Sequence, residues 1–523
     1  MKNRAPMFAV LVSGALICAA ASAQKVEGPS QKLPPPEEVA VPPGLEATTD
    51  DDPVSLPDAL TLDDAVRIAL RANPSLKAAA ERVEQARHRV REARAAYFPM
   101  LTANGSVTKT RLDASSYENQ RQIYYLAQAQ QTNPVEQFIQ TELPDLPTLG
   151  IPSEYLRILV DTLYEEPGFD RTFTDYALSF SARWQAFDGF ARYFTYKATR
   201  LGEHQARAMH RDGQRMLIKA VAQSFYAAQL AREDIRVARA DEAFNLRQLK
   251  ESKAKVEAGA AAYSEELNFQ VRANQSRTLL IEALHNHKAA LAALAELLDL
   301  TGTGFVDSAE LAPLREATDA ELAPPKLTPF VHYALEHRPD LERDSFSARR
   351  AKASRKAWRG QWFPTVGFSA SYAATLRDEP NFDADDFGTA LRMDVSYNIF
   401  TGGKRSARIA EAKAAEREAQ YDLYATENSV VTEVRRKYEQ LLAAQENLKL
   451  QRRNAAIAEE NRSLVEKAFN VGQVSLVRLN EAQRDQLAAQ AQLALARVGL
   501  RQAWHELRTA TAETLAGIPK TRQ

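Results

Sequence analysis

The side chains able to do chemistry are few and poorly grouped. Of the eight histidines only His285 and His287 lie close together, and on a helix a two-residue step turns their rings roughly 200° apart, too divergent to hold one metal. No H-E-x-x-H metal site, G-x-x-x-x-G-K-[ST] phosphate loop or G-x-S-x-G nucleophile elbow occurs. The single cysteine, Cys18, falls in a stretch with the form of a secretory signal: Lys2 and Arg4, an apolar run from Met7 to Ala19, then Ala21-Ser22-Ala23. Ile17 directly before Cys18 and the lack of a Leu three before it argue against lipidation. Cleavage after Ala23 would leave a chain that begins at Gln24 and has no thiol, which removes cysteine nucleophiles, cysteine zinc sites and disulfides together. An uncut N-terminal anchor is the alternative.

What remains is charge in unusual places, whose chemistry is steering and pairing rather than bond-making. Arg183, Gln185, Arg392, Asp394 and Asn398 sit in stretches of alternating polarity. Glu265, Arg478 and Glu481 follow two glycine breaks, Ala258-Gly259-Ala260 and Val471-Gly472-Gln473. Asp378, Glu379, Asp383, Asp385 and Asp386 crowd the interval from Arg377 to Asp386, as a solvated loop does.

The elements that position these groups are mostly helices. The chain has 523 residues, 67 Lys+Arg against 68 Asp+Glu, and 20 Gly, about half the usual glycine share of ~7%. That balance excludes a basic nucleic-acid binder and a disordered polymer. Pro34-Pro35-Pro36, Pro42-Pro43, Pro53 and Pro57 mark residues 24–59 as an extended linker.

Beyond it the chain repeats itself. LTLDDAVRIALRANPSL at 60–76 answers LTPFVHYALEHRPDL at 327–341, with Pro74 and Pro339 separated by 265 (339 − 74), as are Phe98-Pro99 and Phe363-Pro364. A second set runs at 213: Phe187/Phe400, Val221/Val434, Phe225/Tyr438, Ile235/Leu448, Gly259/Gly472 and Gln270/Gln483. The change of offset places a 52-residue insertion (265 − 213) between Pro99 and Phe187. The repeats run over 60–300 and 327–515, with a linker at 301–326 and a tail at 516–523.

Near the change of offset the period becomes two. Leu391, Met393, Val395, Tyr397 and Ile399 interleave with Arg392, Asp394, Ser396 and Asn398; Leu178, Phe180, Ala182 and Trp184 with Ser179, Ser181, Arg183 and Gln185; Val366, Phe368, Ala370 and Tyr372 with Thr365, Gly367, Ser369 and Ser371. The stretch from Phe98 to Lys109 alternates more weakly. Four strands of about 10 residues suit a tilted membrane-spanning strand, and Trp184, Tyr176, Tyr372, Tyr397 and Trp362 near their ends suit an interface. A soluble sheet with one face on a core is the alternative. From Phe190 to Val256 there is no proline, so a continuous helix there is roughly 100 Å long. Leu217, Val221, Ser224, Ala228, Ala231, Ile235 and Ala238 form a coiled-coil seam, matched by Val430, Val434, Lys437, Leu441, Ala444 and Leu448. Gly259 and Gly472 are where each helix reverses.

Residues 61–515 thus resemble the TolC-like outer-membrane efflux protein family, through LTLDDAVRIALRANPSL, YFPML, WQAFDGFAR, NIFTGGKR, AFNVGQVSLVRLNEAQ and the doubled order helix, strand, strand, long helix, shorter helix. The resemblance implies a mixed α and β fold. Long antiparallel helical hairpins would form an α-barrel tunnel through the periplasm, and four transmembrane β-strands per protomer would close a 12-stranded barrel as a homotrimer in outer-membrane lipid. It further implies export of small molecules or proteins with a periplasmic adaptor (membrane fusion protein) and an inner-membrane transporter, and no catalysis, cofactor or metal. Arg183, Gln185, Arg392, Asp394 and Asn398 would line the barrel. The two glycine turns would be the tips where the adaptor docks, residues 112–172 an extracellular loop, Asp378, Glu379, Asp383, Asp385 and Asp386 an extracellular acidic rim that biases passage toward cations, and Glu265, Arg478 and Glu481 the periplasmic entrance. Val474 stands where the family has a gating Arg, and Arg478 where it has an entrance Asp; pairing of Glu265 with Arg478 across neighbouring helices would replace that arrangement. A periplasmic coiled-coil adaptor or scaffold is the rival reading.

Overall fold

The computed structural model describes residues 59–120, 123 and 171–518. The signal-like segment with Cys18, the Pro-rich linker up to residue 58, most of the 112–172 insertion and residues 519–523 lie outside the described residues.

The first repeat comprises α1 (Leu62–Ala72), α2 (Pro74–Ala95), β1 (Met100–Arg111), β2 (Thr172–Phe187), α3 (Ala191–Glu257) and α4 (Tyr263–Leu298). The second comprises α5 (Leu327–His337), α6 (Pro339–Arg359), β3 (Thr365–Arg377), β4 (Gly388–Ser396), α7 (Lys404–Asn470) and α8 (Leu476–Thr511). Both ends of α3 and α7, and both ends of α4 and α8, differ by 213 (404 − 191, 470 − 257, 476 − 263, 511 − 298). The strands range from 9 to 16 residues rather than a uniform ten.

Local chemistry sets the boundaries. Thr61 and Asp64 form a capping box at the start of α1, and Pro74 and Pro339, each at a first helical position, end the preceding helix and start the next. With 67 residues and no proline, α3 and α7 each run ~100 Å. Their seams are buried where expected, at Val221, Ala228 and Ile235, and at Val430, Val434, Leu441 and Leu448. The misfit in the second seam, Lys437, meets Glu506 of α8 at 2.7 Å. Burial raises the Glu506 carboxyl, but hydrogen bonds from Lys437, Gln223 and Gln502 more than offset that and hold its pKa below the ordinary value.

The linker between repeats straps the helices together. Leu311 bridges Leu60 in parallel. Gln229 donates to the Ala312 carbonyl (2.9 Å), Gln445 to those of Glu321 and Ala323 (2.9 and 3.1 Å), and Trp504 to that of Glu321 (3.1 Å). Arg232 on α3 and Gln445 on α7, themselves 213 apart (445 − 232), both hold linker carbonyls.

Candidate functional site

The four strands form one antiparallel sheet in the order β1-β2-β3-β4. The register carries polarity across all of it. Rows such as Thr102, Ser181, Ser371, Ala390 and Met100, Arg183, Ser369, Arg392 share one face. Leu101, Ala182, Ala370, Leu391 and Trp184, Phe368, Met393 share the other. The first face is almost wholly small and polar, whereas on the second Leu101 is 78% and Leu391 82% exposed. The apolar face runs from Val366 to Leu376 along β3, ~26 Å at a strand tilt near 40°, close to the apolar band of an outer-membrane barrel. The two hairpins repeat in register as well: Met100↔Arg183 becomes Thr365↔Ser396 when 265 and 213 are added.

Of the residues read as lining this polar face, Arg183, Arg392 and Asp394 lie in strands. Gln185 does too, beside the bulge at Gln185/Phe187, with its amide donating to the Phe187 carbonyl at 3.0 Å. Asn398 is a correction. It lies past the end of β4, and its carbonyl accepts from Arg405. Trp362 and Tyr397 are about half exposed, and Arg405 lies over both rings, at 4.6 and 5.6 Å.

Arg405 and its repeat-mate Arg192 (405 − 192 = 213) are the residues that sequence reasoning missed. Arg192 donates to the carbonyls of Ala96 (3.0 Å) and Ala186 (2.9 Å) and lies 5.3 Å over Tyr97. Arg405 donates to those of Gln361 and Ile399 (both 3.1 Å). Gln361 and Ile399 are the 265 and 213 counterparts of Ala96 and Ala186, and Trp362 is that of Tyr97. Each arginine therefore ties the end of a short helix to the end of a strand at the first turn of a long helix. Backbone packs closely at the Arg192 joint: a Cβ on Gly189 would come within 2.2 Å of the Gly360 carbonyl oxygen.

A second joint lies where α4 meets α2 and α8 meets α6, end to end. Asn73 donates to the Leu297 carbonyl at 3.0 Å. At the equivalent place Arg338, 6% exposed, donates to the Ala510 carbonyl at 3.0 Å and pairs with Asp340 (2.7 Å) and Glu433 (2.5 Å). Burial raises the Asp340 carboxyl, and the Arg338 guanidinium reverses this, leaving it below the ordinary range. His505, also on α8 but facing Ile218 and Tyr226 of α3, is pushed down to about 4, chiefly by burial and then by Arg508, and its Nε2 has no hydrogen-bond partner among the described residues.

At the far ends of the long helices both turns are Schellman motifs. Ala260 N–H donates to the Lys255 carbonyl (2.8 Å) and Gly259 N–H to that of Val256 (3.0 Å); Gln473 and Gly472 do the same to Ala468 (2.9 Å) and Phe469 (3.0 Å). Gly259 and Gly472 have φ +70° and +77° with open space where a Cβ would sit. Just past them Arg478 pairs with Glu481 on its own helix at 3.5 Å, both largely exposed. Among the described residues Glu265 makes no ion pair, so within one chain the expected Glu265–Arg478 pair is not formed; the i, i+3 spacing favours Glu481 instead. Asp378 accepts from Thr174 N–H (2.7 Å) and Asp383 forms a capping box with Asp386, so these two acids also shape the loop. His287 packs on the Ala228 carbonyl (3.2 Å) while His285 is exposed, the divergence expected of the pair.

The chain is similar to known proteins over most of this architecture. The outer membrane efflux protein family model matches residues 65–299 and 330–513. The chain is 26% identical over 279 residues to the alkaline protease secretion protein AprF of Pseudomonas aeruginosa, covering 52% of this chain and 56% of that one. It is 28% identical over 184 residues to the outer membrane efflux protein BepC of Brucella suis, covering 35% and 40%. These matches thus span about half the length of the curated relatives or less. The CmeC outer membrane channel of Campylobacter jejuni has the same fold, with a TM-score of 0.69 over 88% of this chain and 87% of that one at 13% identity. With the duplicated hairpins, the two-faced sheet and a family match over both repeats, this chain belongs to the outer membrane efflux protein family.

Proposed function

We propose that three copies of this chain close a 12-stranded barrel in the outer membrane, continued through the periplasm by a tunnel of long helical hairpins, and that cargo passes from an inner-membrane transporter to the exterior through this bore. One observation carries the reading. Among the described residues β1 and β4 end the sheet with free edges of 12 and 9 residues, and the apolar face between them is bare. In lipid such edges are intolerable unless paired. Pairing β4 with β1 of the next copy satisfies both edges and turns the small polar face inward. A periplasmic scaffold that never enters lipid leaves that bare face unexplained.

The Schellman turns at Ala258-Gly259-Ala260 and Val471-Gly472-Gln473 suit the tips where a periplasmic adaptor docks, with Glu265, Arg478 and Glu481 just inside them at the entrance. The acidic loop, Asp378 to Asp386, would rim the outer mouth. Relatives named for protease secretion and for efflux make proteins and small molecules both admissible cargo. Purified protein added to planar bilayers tests the reading. Stepwise conductance is expected, with a particle mass three times that of the chain; a monomer that leaves membranes without detergent would refute it. Replacing Ala260 and Gln473 by arginine should abolish adaptor co-purification and leave the trimer intact.

A further inference from the structure

The polar face of the sheet is neutral over most of its length, and its charges differ in how they are answered. At the outer end Arg377 meets Asp175 at 3.2 Å and lies 3.8 Å over the Phe173 ring. At the end nearest the long helices Arg183 and Arg392 share one register row, each opposite Ser369. They are two strand spacings apart, ~9.5 Å. Both are exposed, and among the described residues neither has an ion pair, a hydrogen bond or an aromatic partner.

The nearest acid does not neutralise them. Asp394 is one row further toward the helices, opposite Gly367, and lies flat against the sheet: a Cβ on Gly367 would stand 2.8 Å from its Oδ2. The glycine admits a carboxylate that remains more than an ion-pair distance from either guanidinium. Outward of the arginine row, Thr102, Ser181, Ser371 and Ala390, then Asn104, Ser179, Ala373 and Gly388, carry no charge.

We infer that Arg183 and Arg392 form an anion-binding band on the wall of the bore, at the tunnel side of the barrel, which favours cargo bearing carboxylate, sulfonate or phosphate groups. The inference rests on the channel reading: three copies place six guanidiniums against three carboxylates in a narrow bore with low-dielectric walls, where fields are focused. Planar guanidinium forks suit oxyanions, and the absence of a resident counter-ion leaves them open to one in transit. Cargo that has passed the band meets the acidic loop at the mouth, where like charge favours release.

The test uses Ser369→Cys, between the two arginines, in the detergent-purified assembled protein, with the parent chain as blank. Modification rates are compared for an anionic reagent (sulfonatoethyl methanethiosulfonate) and a cationic one (trimethylammonioethyl methanethiosulfonate). Adding Arg183→Gln and Arg392→Gln should shift the anionic-to-cationic rate ratio at least fivefold toward the cationic reagent, and Arg183→Lys with Arg392→Lys should keep it within twofold. A smaller shift in the glutamine variant, or an equal shift in the lysine variant, overturns the inference and leaves the channel reading standing. If Ser369→Cys reacts with neither reagent while Leu391→Cys on the opposite face reacts with both, the assignment of faces is wrong and both readings fall.

Discussion

The two repeats agree at the joint between sheet and helices and differ at the joint between helices. Arg192 and Arg405 hold corresponding carbonyls at corresponding distances, although the neighbouring aromatics have changed from Tyr97 to Trp362 and only Arg192 also pairs with a carboxylate, Asp188, at 3.1 Å. Between the stacked helices, by contrast, a neutral Asn73 in one repeat is replaced by a buried Arg338 with two carboxylates in the other. The sheet-to-helix turn keeps its geometry because the carbonyls at the strand and helix ends need a donor there; the close approach of Gly189 to Gly360 is not repeated at Gly402, where nothing lies within 4 Å. The helix-to-helix junction only requires that the last carbonyls of α4 and α8 be satisfied, which an amide or a guanidinium can do.

The difference is sharpest on deleting the donors. Arg338→Ala leaves Asp340 and Glu433 without their cation and is expected to cost about 3–5 kcal/mol, whereas Asn73→Ala should cost about 1–2 kcal/mol. Denaturant unfolding of the micelle-solubilised protein measures both; equal losses would show that the charge network adds nothing. His505, on α8 against Tyr226 of α3, gives a pH signature next. Its pKa is about 4 folded against 6.5 ordinarily, so the unfolded chain takes up its proton first, and stability present at neutral pH is lost as pH falls from 6.5 to about 4. The loss is ~3 kcal/mol at most. His505→Phe should flatten that stretch of the stability–pH curve, and an unchanged slope would discount the histidine.

At the sheet-to-helix joint Arg192→Ala and Arg405→Ala should each cost about 2 kcal/mol, from charge-assisted bonds to carbonyls left without a donor, with Arg192→Ala the larger because it also strands Asp188, its partner at 3.1 Å; a smaller loss for Arg192→Ala than for Arg405→Ala would discount that pair. Smallest are Gly259→Ala and Gly472→Ala, about 1 kcal/mol each, because both need positive φ and neither meets a neighbour.

The helices and their lengths were legible because two offsets and the absence of proline leave little freedom. The face polarity of β2, β3 and β4 was legible because alternation survives wherever one face meets lipid or core. β1 reads weakly since its apolar face holds Ala103 and Gly105 among larger residues. Asn398 was misplaced because alternation runs on past Ser396, whereas the ladder stops there; Arg405 takes the Asn398 and Ile399 carbonyls instead. Arg192 and Arg405 end the FDGFAR and FTGGKR segments and could have been found by carrying the 213 offset to the last residue. The strapping role of the 301–326 linker could not, since it depends on which carbonyls tertiary packing presents to Gln229, Arg232 and Gln445.

Closure of the sheet by other copies of the chain is the claim on which the rest depends, and repeat equivalence supplies its register. If β4 meets β1 of the next copy as β2 meets β3, the pair Arg183↔Ser369 maps onto Ser396 opposite Asn104. An electron cryo-microscopy map of the detergent-extracted particle tests this directly. The expected result is threefold symmetry, 12 strands around one bore and Ser396 beside Asn104 at each seam; a single chain whose Leu101 and Leu391 are covered by its own helices would contradict it.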